Sequence, residues 1–249
     1  MQEKNNDRLV GLPLYMVMLG MLISGSANTI LMKVQNNTNG LDDEQFNHPF
    51  VQCAIMFVGE LLCMGAYYTK VFYLKRQEKI DVEKPAIPQG EFIMIDGKQY
   101  RTKINPLLLA IPACFDIVAS TMMNIALTLI AASVYQMMRG MIIIFTSLMS
   151  IMFLKRRLFR QHWSSLATIF LGVFMVGLSS FLSDNSDGGK SSQSQAIGFI
   201  MIILAQVFAS CLLIVEEKLL GQYYLDPLKV VGFEGLWGLL MWCILLPIF

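Results

Sequence analysis

Three charged side chains lie inside long apolar stretches of this sequence. Glu60, Asp116 and Arg139 each fall roughly a third to a half of the way along such a stretch. A charge at the centre of a bilayer costs about 2.5–3.5 kcal/mol on insertion scales, so charges inside membranes usually face a partner or an aqueous cavity. If the stretches span a membrane, the three residues are candidates for an ion pair or for a solute-binding site.

Uncharged polar residues accompany these charges at helical spacing. Asp116, Ser120 and Asn124 recur at i, i+4 and i+8, which places them on one face of a helix. Tyr135 and Gln136 form a second polar cluster just before Arg139. In the first apolar stretch, an asparagine shares a face with small residues that suit close helix packing. The predicted substrate-binding residues are Asn28, Glu60, Asp116, Asn124, Tyr135, Gln136 and Arg139.

Two interpretations fit Asp116 and Arg139, whose depths in the predicted helices differ by about 5 Å at 1.5 Å per residue. The first interpretation is a buried ion pair that fixes the two neighbouring helices together. The second is a solute site near the midplane, in which Arg139 binds an anionic group. The two interpretations are compatible, and the paired polar stripes favour an aqueous cavity over an isolated ion pair.

Three further acidic residues carry weaker signals. Glu216, Glu217 and Lys218 fall near the end of an apolar stretch, where a cluster of charges at the membrane interface is the expected arrangement. Glu234 lies only about 6 Å into the last apolar stretch, which makes it a weaker candidate for a buried site than Glu60.

Enzymatic and metal chemistry find no support in the residue pattern. His48 and His162 lie on opposite sides of the predicted membrane, and no C-x-x-C pair occurs among the five cysteines. No glycine-rich phosphate loop is present either. We therefore expect no enzyme activity, no metal, no cofactor and no nucleic-acid partner.

The composition is that of a membrane protein, with 55% hydrophobic and 15% charged residues. A membrane helix needs about 20 mostly apolar residues. Residues 106–154 form one apolar run that is too long for a single span, and the run is expected to turn near Ala131. The sequence thus predicts an all-α bundle of seven transmembrane helices. They are Leu9–Met32, Pro49–Phe72, Pro106–Leu129, Ala132–Leu154, Trp163–Leu182, Ile197–Val215 and Val230–Phe249.

Basic residues predict the orientation of the helices. They concentrate before the first span and in the loops after the second, fourth and sixth spans, whereas the other side carries only Lys33 and Lys190. Because Lys and Arg favour the cytoplasmic side, the N-terminus is expected there. In the largest loop, Asp96-Gly97 between two β-prone runs is a hairpin signal.

A weak internal repeat divides the chain. The segment Ser26–Lys33 resembles Ser210–Lys218, and Phe57–Leu61 resembles Phe233–Leu236. Secondary transporters are often built from inverted repeats, and an odd number of helices per repeat inverts the copy. The predicted units are a five-helix repeat at 1–182, a polar linker at 183–195 and the start of a second repeat at 196–249.

The sequence resembles the drug/metabolite transporter superfamily and, within it, solute carrier family 35, most of all its F subfamily. The resemblance runs through nearly all of the chain. The matching motifs include Gly25-Ser26-Ala27-Asn28-Thr29, His48-Pro49-Phe50, Gly59-Glu60, Gln136-Met137-Met138-Arg139-Gly140, Arg156-Arg157-Leu158, Gln161-His162-Trp163, Glu216-Glu217-Lys218 and Glu234-Gly235-Leu236.

The resemblance implies a ten-helix secondary transporter with two inverted five-helix halves around a central cavity. It implies a polar or anionic solute of the nucleotide-sugar class. It also implies an endomembrane location, of lysosomal or Golgi type, with the mitochondrial membrane as the alternative. Because the sequence stops at Phe249 with seven predicted helices, a second hypothesis is a transporter-derived structural subunit of a larger complex. A homodimer or membrane-complex neighbours would supply the rest of the cavity wall.

The predicted topology can be tested by labelling. Single cysteines placed at Ser186 and at Glu91 in a cysteine-free background are expected to react from opposite sides of a sealed membrane, because an odd number of spans separates them. Reaction with an impermeant maleimide before and after permeabilisation measures this. Labelling of both sites from the same side would contradict the seven-helix alternation.

Overall fold

The computed structural model describes residues 7–36, 38, 49–78, 92–95, 98–101, 104–182, 192–223 and 225–245. Within these ranges, seven helical stretches are long and apolar enough to cross a membrane, as the sequence predicts. In lipid, a helix satisfies its backbone hydrogen bonds internally, which explains why such apolar segments fold in this way. The helices are α1 (Asp7–Asn36), α2 (Pro49–Glu78), α3 (Ala110–Leu129), α4 (Ala132–Met138), α5 (Ile142–Leu154), α6 (Arg160–Leu182), α7 (Ser192–Gln222) and α8 (Pro227–Leu245).

The long apolar run 106–154 contains the third and fourth spans. It begins with a 3-10 turn at Pro106–Leu109, leads into α3 and breaks at Ile130, whose backbone is extended. This break confirms the predicted turn near Ala131. The fourth span is not one uniform helix, because a 3-10 turn at Arg139–Met141 separates α4 from α5.

The predicted hairpin in the large loop is also confirmed. Strand β1 (Phe92–Ile95) pairs antiparallel with strand β2 (Lys98–Arg101), with Ile95 opposite Lys98. Asp96 and Gly97, which are expected to form the turn, lie outside the described residues.

Helices of both predicted repeats form the centre of the bundle. Helix α7 packs against α3 and α5, and α8 packs against α2 and α3. Helices α1 and α6 lie at the periphery and contact α4. Helix α7 begins at Ser192, inside the segment 183–195 that the sequence predicts as a linker, and residues 183–191 lie outside the described part of the chain.

Glycines of α8 allow its backbone to approach α2 closely. A Cβ atom added at Gly235 would lie 2.5 Å from the backbone nitrogen of Leu61 and 2.8 Å from the carbonyl carbon of Glu60. At Gly232, an added Cβ would lie 2.8 Å from the backbone of Met64. Small residues at a membrane helix interface permit this kind of backbone contact. The α2–α8 contact therefore depends on glycine at these positions.

This contact gives a prediction about folding. We expect Gly235→Ala to destabilise the bundle by about 1–3 kcal/mol, the range for overpacking a well-packed interface. The matched control is Gly65→Ala on α2, where an added Cβ meets open space. Since alanine is the better helix former, the control is expected to be neutral or slightly stabilising. Thermal unfolding in detergent compares them, and equal unfolding temperatures would contradict the close-contact argument.

Candidate functional site

Four carboxyl side chains from four different helices converge in the bundle. Glu60 of α2 and Asp116 of α3 are close enough to share a hydrogen bond. Glu216 of α7 and Glu234 of α8 form a second pair of the same kind. The two pairs are also near enough to interact through their charges, Glu216 with Glu60 and Asp116, and Glu234 with the same two groups. The helix contacts α2–α8, α3–α7 and α2–α3 bring the groups together.

The predicted ion pair between Asp116 and Arg139 is wrong. The ion pairs among the described residues are Lys70–Asp226 and Arg156–Glu217, and neither includes Asp116 or Arg139. Arg139 is exposed, and its guanidinium carbon lies 6.0 Å from the centre of the Tyr135 ring. Axial rise fixes how deep a residue lies, but successive residues point in different directions around a helix. Equal depth therefore does not make two side chains face each other.

The polar stripe of α3 packs against other helices. The Asn124 side-chain amide donates a hydrogen bond to the Cys53 sulfur of α2 at 2.9 Å. The Ser120 hydroxyl donates to the backbone carbonyl of Asp116 at 2.6 Å. Both Ser120 and Asn124 are buried. Asn124 thus contributes to the contact between α2 and α3, and its role as a substrate-binding residue stays a prediction.

The remaining predicted site residues lie in α1 and α4. The Gln136 side-chain amide donates to the Thr29 hydroxyl at 2.5 Å, which connects α4 to α1. Tyr135 is buried, whereas Asn28 is exposed and contacts the Met32 sulfur at 3.8 Å. The structure therefore divides the predicted residues into two sets. One set lies around the Asp116 carboxyl, and the other lies near the α1–α4 contact.

Glu216 and Glu234 are the members of the carboxyl cluster that sequence reasoning underestimated. Helix α7 continues to Gln222 and α8 begins at Pro227, so each carboxyl lies about 10 Å inside its helix end. The predicted sixth helix ends at Val215 and the predicted seventh begins at Val230, which places Glu216 at the interface and Glu234 near the surface. A signal was present for Glu234, because the neighbouring Gly235 marks a face in close helix contact.

A lysine closes the C-terminal end of α3. The Lys33 ammonium donates hydrogen bonds to the backbone carbonyls of Leu127 and Ile130, at 2.5 and 2.8 Å. Carbonyl groups in the last turn of a helix lack intrahelical partners, and a cation is favoured there. Lys33 therefore connects α1 to the turn that reverses the chain between the third and fourth spans.

A cavity of about 300 Å³ lies between α4, α6 and α7. Apolar side chains line it, including Met138, Phe170, Phe174 and Phe199. A polar solute would lose its hydration there without gaining hydrogen bonds. This cavity is therefore a poor candidate for the binding of a charged substrate.

Comparison with known proteins identifies the family to which this chain belongs. The family model described as nucleotide-sugar transporter matches residues 14–223. The chain belongs to the nucleotide-sugar transporter family. Solute carrier family 35 member F6 of Mus musculus is 35% identical over 92% of this chain and 59% of its own length. The Homo sapiens protein of the same name is 35% identical over 91% of this chain and 58% of its own length.

More distant relatives of this nucleotide-sugar transporter family member carry names that state a solute. The UDP-galactose translocator of Bos taurus is 30% identical over 54% of this chain and 36% of its own length. No solved structure matches the chain. Family membership confirms the resemblance to solute carrier family 35 and a multi-pass membrane protein, while the chain spans less than two thirds of its curated F6 relatives.

Two basic residues of this family member are expected to differ in their effect on stability. Replacing Lys33 with Met removes charge-assisted hydrogen bonds to the end of α3, a loss of about 1.5–3 kcal/mol. Arg139→Gln is expected to stay within about 0.5 kcal/mol of the parent, because Arg139 is exposed. Thermal unfolding of the purified chain in detergent measures both. If Arg139→Gln were the more destabilised variant, the conclusion that Arg139 has no structural ion pair would be overturned.

Proposed function

We propose that this chain provides seven membrane helices of a secondary transporter for a polar or anionic organic solute of the nucleotide-sugar class. The transporter resides in an endomembrane of lysosomal or Golgi type, with the N-terminus of the chain in the cytoplasm. Family membership and the seven apolar helices support this proposal. The relatives named for UDP-galactose suggest the solute class.

The observation that carries the solute class is the position of Arg139. It lies inside the fourth membrane span, is exposed, and has no acidic partner among the ion pairs of the described residues. An arginine at membrane depth needs an anion or water to offset its desolvation. The planar guanidinium binds phosphate oxygens through two parallel hydrogen bonds, and a nucleotide sugar carries a diphosphate.

Neighbouring polar groups support a binding site beside Arg139. Tyr135 places its ring next to the guanidinium, and Gln136 joins α4 to α1 through Thr29. Asn28, the residue before Thr29, exposes its amide on α1. A nucleotide sugar has a ring, hydroxyl groups and phosphates, so aromatic, amide and guanidinium groups match its chemistry.

The helix packing supports alternating access as the mechanism. Helices α2 and α3 come from the predicted first repeat, and α7 and α8 come from the predicted second repeat. The strongest helix contacts pair one repeat with the other, α3 with α7 and α2 with α8. Movement of one repeat against the other around a midplane site is the mode of transport expected for this arrangement.

An exchange assay tests the proposed function and the role of Arg139. Liposomes with the purified chain are loaded with UDP-galactose, and uptake of labelled UDP-galactose is measured. We expect saturable exchange that falls about 10- to 100-fold in Arg139→Gln, since hydrogen bonds between charged groups contribute about 1.5–3 kcal/mol. The matched control is Arg157→Gln, an exposed arginine outside the spans that is expected to keep the parent rate.

Two other outcomes of the exchange assay would contradict parts of this proposal. Equal exchange by the parent and Arg139→Gln would remove Arg139 from the solute site. No exchange by the correctly folded parent, with recovery of the chain in a stable complex on a native gel, would support the structural-subunit hypothesis instead.

A further inference from the structure

The four clustered carboxyl groups have a feature that solute binding leaves unexplained: the cluster holds only acids. The ion pairs among the described residues join Lys70 to Asp226 and Arg156 to Glu217, away from the cluster. Cys53 of α2, a thiol, is a further titratable neighbour of Asp116 beside Glu60. The groups that face the cluster from its four helices are Cys53 and Glu60 of α2, Asp116 of α3, Glu216 of α7 and Glu234 of α8.

Glu234 gives an independent indication that something binds there. The residue is only 5% exposed. Its Oε1 atom is buried and has no hydrogen-bond partner among the described residues. Oε2 of Glu60 is likewise buried without a partner. A buried acceptor without a donor costs free energy. A proton bound at these oxygen atoms, or a hydrogen bond donated to them, would remove that cost.

Two of the helices that carry these carboxyls, α2 and α8, are in close backbone contact. Next to Glu234, the backbone of Gly235 approaches Glu60 and Leu61 so closely that even an added methyl group would overlap. No group of three or more His, Cys, Asp and Glu residues in the described part of the chain has an arrangement that could hold a metal ion. A proton requires no additional volume, and it turns a pair of repelling carboxylates into an O–H···O⁻ hydrogen bond.

We propose that Glu60, Asp116, Glu216 and Glu234 form a proton-binding site that couples proton movement to solute transport. The coupling rests on the proposed transport function, whereas proton binding by the cluster does not. One proton from an aqueous side forms an O–H bond with one carboxylate of a pair, and the same bond breaks when the proton leaves to the other side. No other reactant is needed.

The division of the pairs between the repeats explains how coupling would work. Glu60 and Asp116 belong to the predicted first repeat, and Glu216 and Glu234 belong to the predicted second repeat. With a proton in each pair, the negative charge across the interface is halved and the repeats can pack together. When the protons leave, four carboxylates repel across the α2–α8 and α3–α7 contacts. Proton binding thus shifts the equilibrium between the two arrangements of the repeats.

Infrared titration of the purified chain tests proton binding without any solute. The carbonyl stretch of protonated carboxylic acids is followed upward from about pH 6, where exposed Asp and Glu with ordinary pKa values of about 4 are already ionised, in the parent, Glu216→Gln and Glu60→Gln. We expect a band that titrates in the parent and is diminished in both variants. The matched control is Glu217→Gln, next in sequence to Glu216 but ion-paired with Arg156 and outside the cluster. Glu60→Asp, which keeps an acid, is expected to retain the band.

Two results would overturn the proton site. One is a parent without a carboxylic-acid band above about pH 6, where exposed Asp and Glu are ionised; this measurement needs no variant to fold. The other is a band that Glu216→Gln and Glu217→Gln change equally.

To test coupling, UDP-galactose exchange in liposomes that contain the purified chain is measured under inward and outward pH gradients. Opposite effects of the two gradients on the parent support coupling, and rates that ignore the gradient overturn it. Absence of exchange together with a titrating band would reject the proposed function but not the proton site.

Discussion

The close backbone contact between α2 and α8 at Gly235 is the constraint on which the rest of the bundle depends. It places the backbone of Glu60 against the turn of α8 that carries Glu234. Between membrane helices there is little hydrophobic driving force, so stability comes from close packing and internal hydrogen bonds. A side chain at this glycine would push the helices apart and separate the carboxyl groups. The packing that stabilises the bundle is therefore also what creates its acidic cluster.

The distribution of the remaining charges fits this arrangement. Lys70 pairs with Asp226 at one end of the same α2–α8 contact, at 2.5 Å, and Lys33 binds the carbonyl end of α3. Charges near helix ends can reach water or opposite charges at little cost. Buried acids in the middle of the spans have no such relief. The ion pairs among the described residues thus lie outside the acidic cluster, for which protons are the proposed neutralising ligand.

The sequence predicts the helices well because their causes are local. The length of the apolar run fixes a span, and the break near Ala131 follows from a run too long for one helix. The partners of the site residues depend on rotation about each helix axis, which depth does not determine. Asp116 therefore faces Glu60 rather than Arg139. Small errors at helix ends also matter, since a few residues separate an interfacial Glu216 from one inside the bundle.

Solute binding and proton binding are proposed for two separate sets of polar groups, and their separation in space suggests how both can operate. The carboxyl cluster lies where helices of the two predicted repeats meet, whereas Arg139 lies on an exposed face beside the α1–α4 contact. If an anion bound directly among the acids, its charge would add to theirs, and binding would be unfavourable without protons. With the anion at Arg139 and the protons at the acids, each ligand meets groups of opposite charge. Both sites can then act on the same movement of the repeats. The fourth span carries Arg139, and its second part, α5, packs against α7, which carries Glu216.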